Sequence, residues 1–502
     1  MEENNNTPTP QENEDAQIAP ICETQTNHQE DFPKIEFFES EDEPEQKKRE
    51  STLGKWLFAT CLLVAAAILL TYTLTAAAWR RAYTEKLLEQ QAVIQGMSVE
   101  QSPIVENFEI LNSILEGYSF YAETMDENAM LEAAYKAYVA ASGDAYAQYF
   151  TEKEYQEILR SNQAELYGIG IGVLEYYFRM KNDTSDQLGF YIYDIYEGST
   201  ARTQGIQVGD WVYAVEIDGV MKTVTELGHI GAANAIRGEE NTTVKIWVYR
   251  PDGQGGGEII SSGELTRMKF ETKSVHQSIL ESDPTIGIVK ITSFDLKTPT
   301  QFKRAVQALK DQGVEKFVFD LRGNLGGDLQ SIKAIVSYFL QKGDLVLEAT
   351  NREGAVAESY RVEAITHLDP TYADCDVAEE EIGMYADLDM VVLCNGSTAS
   401  AAEVFTATMQ DYGLAKVVGT QTYGKGIMQS TRQISLVNSV GYIKFTTYAY
   451  HTKRGVSYHG VGITPDHVVD LSDASKEVPL LILGQEHDEQ LKTAVQILTD
   501  QQ

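Results

Sequence analysis

The run WLFATCLLVAAAILLTYTLTAAAW, Trp56 to Trp79, holds 24 residues without a charged side chain. At a rise of ~1.5 Å per residue such a run crosses a hydrocarbon core of ~30 Å as one helix. A helix there divides the chain into a short piece and a long one on opposite sides of a membrane. Trp56 and Trp79 stand where interfacial aromatics belong. A cleaved signal peptide ending at Ala76-Ala77-Ala78 is the rival reading, but its charged region would follow a tail far longer than such signals carry. The sequence therefore predicts a single-pass membrane anchor over residues 55–80. Lys47, Lys48, Arg49 and Lys55 before it narrowly outnumber Arg80, Arg81 and Lys86 after it, which puts the N-terminus in the cytoplasm and the bulk of the chain outside.

Ahead of the anchor, residues 1–50 carry fifteen acidic and four basic side chains and almost no apolar periodicity, so residues 1–54 read as a disordered acidic tail. The 502-residue chain has a formal net charge of −35, which repels phosphate and excludes nucleic acid as a partner. Its length predicts two or three folded units. Of four cysteines, Cys22 lies in the tail and Cys61 in the span; Cys394 ends an apolar strand and reads as core rather than as half of a disulfide with Cys375. No His/Cys/Asp cluster has metal-ligand spacing, so neither a metal nor another cofactor is expected.

Beyond the anchor the pattern changes three times. Residues 81–166 read as a helical support segment, with apolar spacing in FEILNSILEGYSFYAETM and NAMLEAAYKAYVAAS. Residues 167–272 read as a small β-rich domain, its strands GIGIGVLEYYFRM, LGFYIYDIYEGS, DWVYAVEIDGV and TTVKIWVYRPDG divided by Gly- and Asp-rich turns. Residues 273–470 alternate strand and helix, from TIGIVKITSF to AKVVG, which argues an α/β domain with crossover helices and a mainly buried sheet. Its first helix is punctuated by Thr298 as N-cap, Pro299 and Gly313, with Phe302, Ala305, Val306 and Leu309 on one face. Residues 471–502 form a C-terminal helical segment.

Three stretches of the α/β part can carry chemistry. In NGSTASAAE, Ser400 sits at a strand–loop–helix junction, facing unpaired helix N–H groups and the positive end of the helix dipole; a bland alternative makes Ser397, Thr398 or Ser400 a helix cap, with Glu403 closing a capping box. Lys425 follows 25 residues later between Gly424 and Gly426, and apolar neighbours could lower its pKa far enough for it to act as a base. Gln429 is within reach to accept a hydrogen bond from it. In DLRGNLGGDLQ, a glycine-rich turn after a strand exposes backbone N–H groups that suit an oxyanion or a phosphate, with the spacing of neither nucleotide fingerprint.

Taken together these stretches resemble the C-terminal processing, or tail-specific, serine peptidases. That family's Gly-Thr/Ser-Ala-Ser-Ala-x-Glu run is matched from Gly396 to Glu403, its Thr-Phe/Tyr-Gly-Lys-Gly run from Thr422 to Gly426, its glutamine at Gln429, and its Leu-Arg-x-Asn-x-Gly-Gly loop from Leu321 to Gly327, with Leu325 in place of proline. SGDAYAQYFTEKEYQE looks like the family's segment ahead of its PDZ domain, and RGVSYHGVGITPDHVV like its closing strands. The resemblance implies Ser400 as nucleophile, Lys425 as base, Gln429 as its orienter, and an oxyanion hole from the amides of Ala401 and of Gly326 or Gly327. It implies that residues 167–272 are a PDZ domain in which Tyr167, Gly168, Ile169 and Gly170 receive a peptide C-terminus. The expected partners are protein substrates with free C-termini, the membrane and, as the terminal helices of the family suggest, a second copy of the chain. Two rivals stand beside this reading: a PDZ scaffold with an inactive protease domain, and hydrolysis with His451, His459 or His467 as base.

Overall fold

Strand and helix do alternate beyond Ser274 in the computed structural model, which describes residues 103–178, 187–254, 256–436 and 439–500. The expected tail and membrane anchor lie outside the described residues; among those described, no helix is long and apolar enough to cross a membrane. The chain divides at Glu123 into two units. Of the first, the description covers helix α1 (Pro103–Tyr118).

The second unit opens with α2 (Glu127–Ala140), β1 (Gln148–Thr151) and α3 (Glu152–Asn162), the last starting in a capping box between Thr151 and Glu154. Strand β1 departs from the helical reading of this stretch. Four residues are too few for strand periodicity to register in sequence. The β-rich part follows: β2 (Glu165–Gly168), β3 (Ile171–Phe178), β4 (Gln187–Ile195), β5 (Trp211–Ile217), β6 (Val220–Thr223), helix α4 (Val224–Ile236), β7 (Thr243–Pro251), β8 (Gly257–Thr266) and β9 (Met268–Glu271). Strands β3-β4-β5-β7-β8 form one antiparallel sheet, with β6 on β5, while β2 and β9 pair separately. Helix α4 covers this sheet, and Val224, Ala232 and Ile236 join Ile192, Val212 and Ile246 in its core.

The α/β part comprises β10 (Val275–Leu280), β11 (Asp283–Ile291), α5 (Thr298–Lys310), β12 (Lys316–Asp320), α6 (Leu329–Ser337), β13 (Leu345–Thr350), β14 (Val356–Arg361), β15 (Asp389–Cys394), α7 (Ala401–Asp411), β16 (Lys416–Gly419), β17 (Ile427–Leu436), β18 (Ser439–His451), β19 (His467–Val468) and α8 (Glu489–Asp500). Its main sheet runs β10-β11-β12-β15-β16-β19, parallel except for β10 on β11. Both faces are covered. Phe317, Phe319, Val392 and Val417 point into one core with Phe302, Ile335 and Phe405 of helices α5, α6 and α7; Val318, Val391, Leu393 and Val418 point the other way, onto Leu491, Ala494 and Leu498 of α8. The apolar face of α8 is thus spent on the sheet.

Helix α5 buries the predicted face, Phe302, Ala305, Val306 and Leu309. Its N-cap is Lys297 rather than Thr298, because the Thr298 hydroxyl turns back to accept the Asp295 amide at 2.9 Å. Cys375 and Cys394 are both buried free thiols. A second sheet, β1-β18-β13-β14 with β17 on β18, brings the N-terminal strand β1 onto the long hairpin β17–β18.

Candidate active site

Strands β12, β15 and β16 are parallel neighbours, so the loops leaving their C-terminal ends open onto one crevice, where open α/β sheets place their ligands. Those loops are 321–327, 395–400 and 420–426. They are stitched together: Thr398 Oγ1 donates to the Leu321 carbonyl (3.0 Å), the Ala399 amide to the Asn324 carbonyl (2.9 Å), the Gly323 amide to Asn395 Oδ1 (3.0 Å) and the Tyr423 amide to the Thr398 carbonyl (3.0 Å). Sheet order therefore assembles stretches that lie far apart in sequence.

Ser400 occupies φ 56°, ψ −120°, a region nearly reserved for glycine. It immediately precedes α7, yet its side chain makes no capping hydrogen bond. Half of a capping box is present, since its amide donates to Glu403 Oε2 at 3.0 Å. The hydroxyl is left for other work, and it is a hydrogen-bonding neighbour of the buried Tyr450 hydroxyl.

Glu403 does more than cap. Fully buried, its carboxylate accepts the Thr422 hydroxyl (2.6 Å) and Gly424 amide (2.7 Å) on Oε1, and the Lys425 amide (2.7 Å) and Ser400 amide on Oε2. One anion thus fixes the serine turn to the lysine loop, with four donors to satisfy it. Tyr450 adds a second tie, donating to the Lys425 carbonyl at 2.9 Å.

Lys425 is half-buried, and burial, followed by the like charge of Lys444, pulls its pKa below the ordinary lysine value against an opposing pull from Glu403. Its Nζ stands 4.7 Å from the centre of the Tyr146 ring. Gln429 lies beside a bulge in the β17–β18 ladder, where the pairing jumps from Met428 with Tyr448 to Gln429 with Thr446. Its Nε2 donates to Thr446 Oγ1 at 3.2 Å. Thr446 in turn donates its amide (2.7 Å) and hydroxyl (3.0 Å) to Asp144. The turn carrying Asp144 and Tyr146, from the stretch read as mere support, therefore borders the lysine.

Of the candidate oxyanion donors, the Gly326 amide is committed to Asn324 Oδ1 at 2.8 Å, whereas the amides of Gly327 and Ala401 have no partner among the described residues. Gly326 lies so close to the serine that a methyl added to it would stand 2.7 Å from Ser400 Cβ and 2.9 Å from the Ala401 nitrogen. On Gly327 it would stand 2.0 Å from the Phe294 carbonyl oxygen.

In the β-rich part, Tyr167 and Gly168 pair with Lys269 and Met268, while Ile169 and Gly170 lead into β3. The Ile169 and Gly170 amides have no partner among the described residues, and the Gly170 carbonyl accepts the Tyr196 amide at 2.9 Å. Strand β3 pairs with β4 on one side, and His229 of α4 meets Glu175 of β3 at 3.2 Å across the gap between them. The histidines behind the rival triad each have their own surroundings: His451 bonds the Thr452 carbonyl and Glu348, His459 is exposed with its backbone against Gly426, and His467 is exposed on β19. Among the described residues no group of three or more His, Cys, Asp or Glu could hold a metal ion.

Sequence reasoning missed the clamp role of Glu403 and the participation of Asp144, Tyr146, Lys444, Thr446 and Tyr450. An Asp-Ala-Tyr turn interrupting a helical stretch was the available signal for the first pair.

Residues 285–469 match the family model Peptidase family S41. The chain is similar to a "Probable CtpA-like serine protease" of Staphylococcus aureus, at 27% identity over 435 residues, covering 86% of this chain and 76% of that one. A protein of the same description from Staphylococcus saprophyticus is 28% identical over 375 residues, covering 75% and 67%. Among solved structures, a photosystem II D1 C-terminal processing protease is 21% identical with a TM-score of 0.38, covering 71% of this chain and 88% of that one.

Proposed function

We propose, from the match of residues 285–469 to Peptidase family S41 and the similarity to CtpA-like serine proteases, that this chain is a serine-type C-terminal processing peptidase that cleaves proteins near their C-termini with Ser400 and Lys425 as its catalytic dyad. Ser400 Oγ attacks the carbonyl carbon of the scissile bond while neutral Lys425 takes the serine proton, and Lys425 then returns that proton to the departing amine. Gln429 orients the lysine. The Ala401 and Gly327 amides receive the oxyanion. Carrying this reading is one observation: a single buried oxygen, Glu403 Oε2, accepts from the amides of both Ser400 and Lys425.

Residues 167–272 act in this reading as a PDZ domain, with a substrate C-terminus adding to the edge strand β3 beside α4 and its carboxylate at the free Ile169 and Gly170 amides. Support comes from the edge of β3 and the two N–H groups, all without a partner among the described residues. Residues 55–80 anchor the enzyme in the membrane, with the peptidase outside.

The test is to assay Lys425→Ala and His459→Ala separately on an unstructured protein with a free C-terminal carboxylate. The dyad requires the first to be dead and the second active. The reverse pattern assigns the base to histidine, and peptide binding by a wild-type chain without turnover leaves a scaffold.

A further inference from the structure

Asp144 lies 302 positions from Thr446, yet its carboxylate takes two hydrogen bonds from that one residue, on Oδ2 from the amide and on Oδ1 from the hydroxyl. We propose that Asp144 is a positioning residue for the catalytic lysine, acting through Thr446 to fix which end of the Gln429 amide is presented to Lys425. The inference rests on the dyad reading above and adds to it an element from outside the α/β domain.

An ionised carboxylate offers lone pairs alone. Asp144 is held in that state: burial pushes its pKa up, but the Thr446 amide, the Tyr146 amide, the Thr446 hydroxyl and nearby Lys444 together bring it below the ordinary aspartate value. The single hydroxyl proton of Thr446 must therefore go to Asp144, so the Thr446 oxygen can only accept from Gln429. An oxygen facing it would meet a lone pair, so the group there has to be Nε2, as found at 3.2 Å. That leaves Oε1, with both lone pairs open, as the atom Gln429 can offer to an amine. Without the carboxylate, the threonine hydroxyl could donate to Gln429 instead and the amide could turn end for end, presenting N–H groups that compete for the lysine lone pair. The ladder bulge at Gln429 aligns this relay, as bulges beside active sites do. Asp144 also accepts the Tyr146 amide at 2.9 Å, so the same carboxylate sets the ring against which Lys425 Nζ lies.

The groups facing Lys425 are Lys444 and Glu403, by charge, and the Tyr146 ring; Asp144 faces Lys444. Replacing Asp144 by Asn frees the relay, and an amide N–H turned toward Lys425 favours the neutral amine over the ammonium. The expected result is a kcat lowered about tenfold or more, KM within about twofold, and the acid limb of the kcat–pH profile moved to lower pH. A merely structural aspartate would lower the amount of folded enzyme without moving that limb. Thr446→Val, which can neither donate nor accept, should lose rate like Asp144→Asn, and Thr446→Ser should recover most of that loss. In a cycle with Gln429→Ala, adding Asp144→Asn should cost little more than Gln429→Ala alone. A wild-type rate and pH limb in Asp144→Asn, or losses that multiply independently in the double variant, overturn the relay. Ser400→Ala and Lys425→Ala run alongside separate the two levels: if either stays active, it is the dyad that falls.

Discussion

Arg322 and Asp488, 166 positions apart, form a buried, two-pronged ion pair, Nη1 to Oδ1 at 2.9 Å and Nη2 to Oδ2 at 2.7 Å. Arg322 opens the loop that leads to Gly326 and Gly327, and Asp488 immediately precedes helix α8, so the C-terminal segment braces that loop. The same guanidinium grips Asp320, which Lys290 also approaches at 3.0 Å; two cations and two carboxylates balance one another out of water. Asp488→Asn should destabilise the fold by about 2–4 kcal/mol, somewhat under the cost of a fully orphaned buried ion because Asp320 still faces Arg322. Urea unfolding measures it, and an unchanged midpoint contradicts the bracing role.

At Ser400 the backbone is strained, and the strain separates two substitutions. Ser400→Ala should abolish proteolysis and cost at most about 1 kcal/mol, since the hydroxyl caps nothing. Ser400→Gly should be equally inactive but no less stable than Ser400→Ala, because glycine reaches φ 56° without a Cβ penalty. At an unstrained position glycine would be the less stable of the two. Thermal melts of the two variants decide it.

Activity should rise with pH through the pKa of Lys425. In the proposed dyad the neutral amine is the base, so rate is present above the folded pKa and lost below it, and that pKa lies under the ordinary lysine value because of burial first and Lys444 second. Lys444→Gln removes a repelling charge and should move the acid limb of the kcat–pH profile upward. Lys425→Arg should be as inactive as Lys425→Ala, since a guanidinium stays charged throughout. A downward shift in Lys444→Gln sinks the electrostatic account.

Gly326→Ala should lower kcat by about 100-fold or more, because its methyl would press on Ser400 Cβ and the Ala401 amide. The positive φ of 100° adds strain. Active-site titration with a serine-directed phosphonate measures it; labelling at the wild-type rate contradicts this geometry.

Protease added to intact cells should digest the chain beyond Arg81 and spare the acidic tail, as an anchor over residues 55–80 with the peptidase outside requires. Protection of the long segment reverses the topology.

What the sequence determined is what local chemistry encodes. Strand–helix alternation, the apolar face of α5, the glycines of 323–327 and 424–426 and the serine at a helix start are each set by a few neighbouring residues, so they could be read without a fold. Even there a hydroxyl could mislead by one position, as Thr298 did, because a cap is chosen by which amide turns toward it. Tertiary structure alone decided which amide of the glycine loop was free, that Glu403 would gather four donors from two loops, and that Asp144 would reach Thr446. Such contacts depend on the order of β12, β15 and β16 in the sheet and on the register of β17 with β18. A single aspartate in a turn leaves no periodic trace of a partner hundreds of residues away, since loop closure over that distance is specified by the whole core and not by either residue.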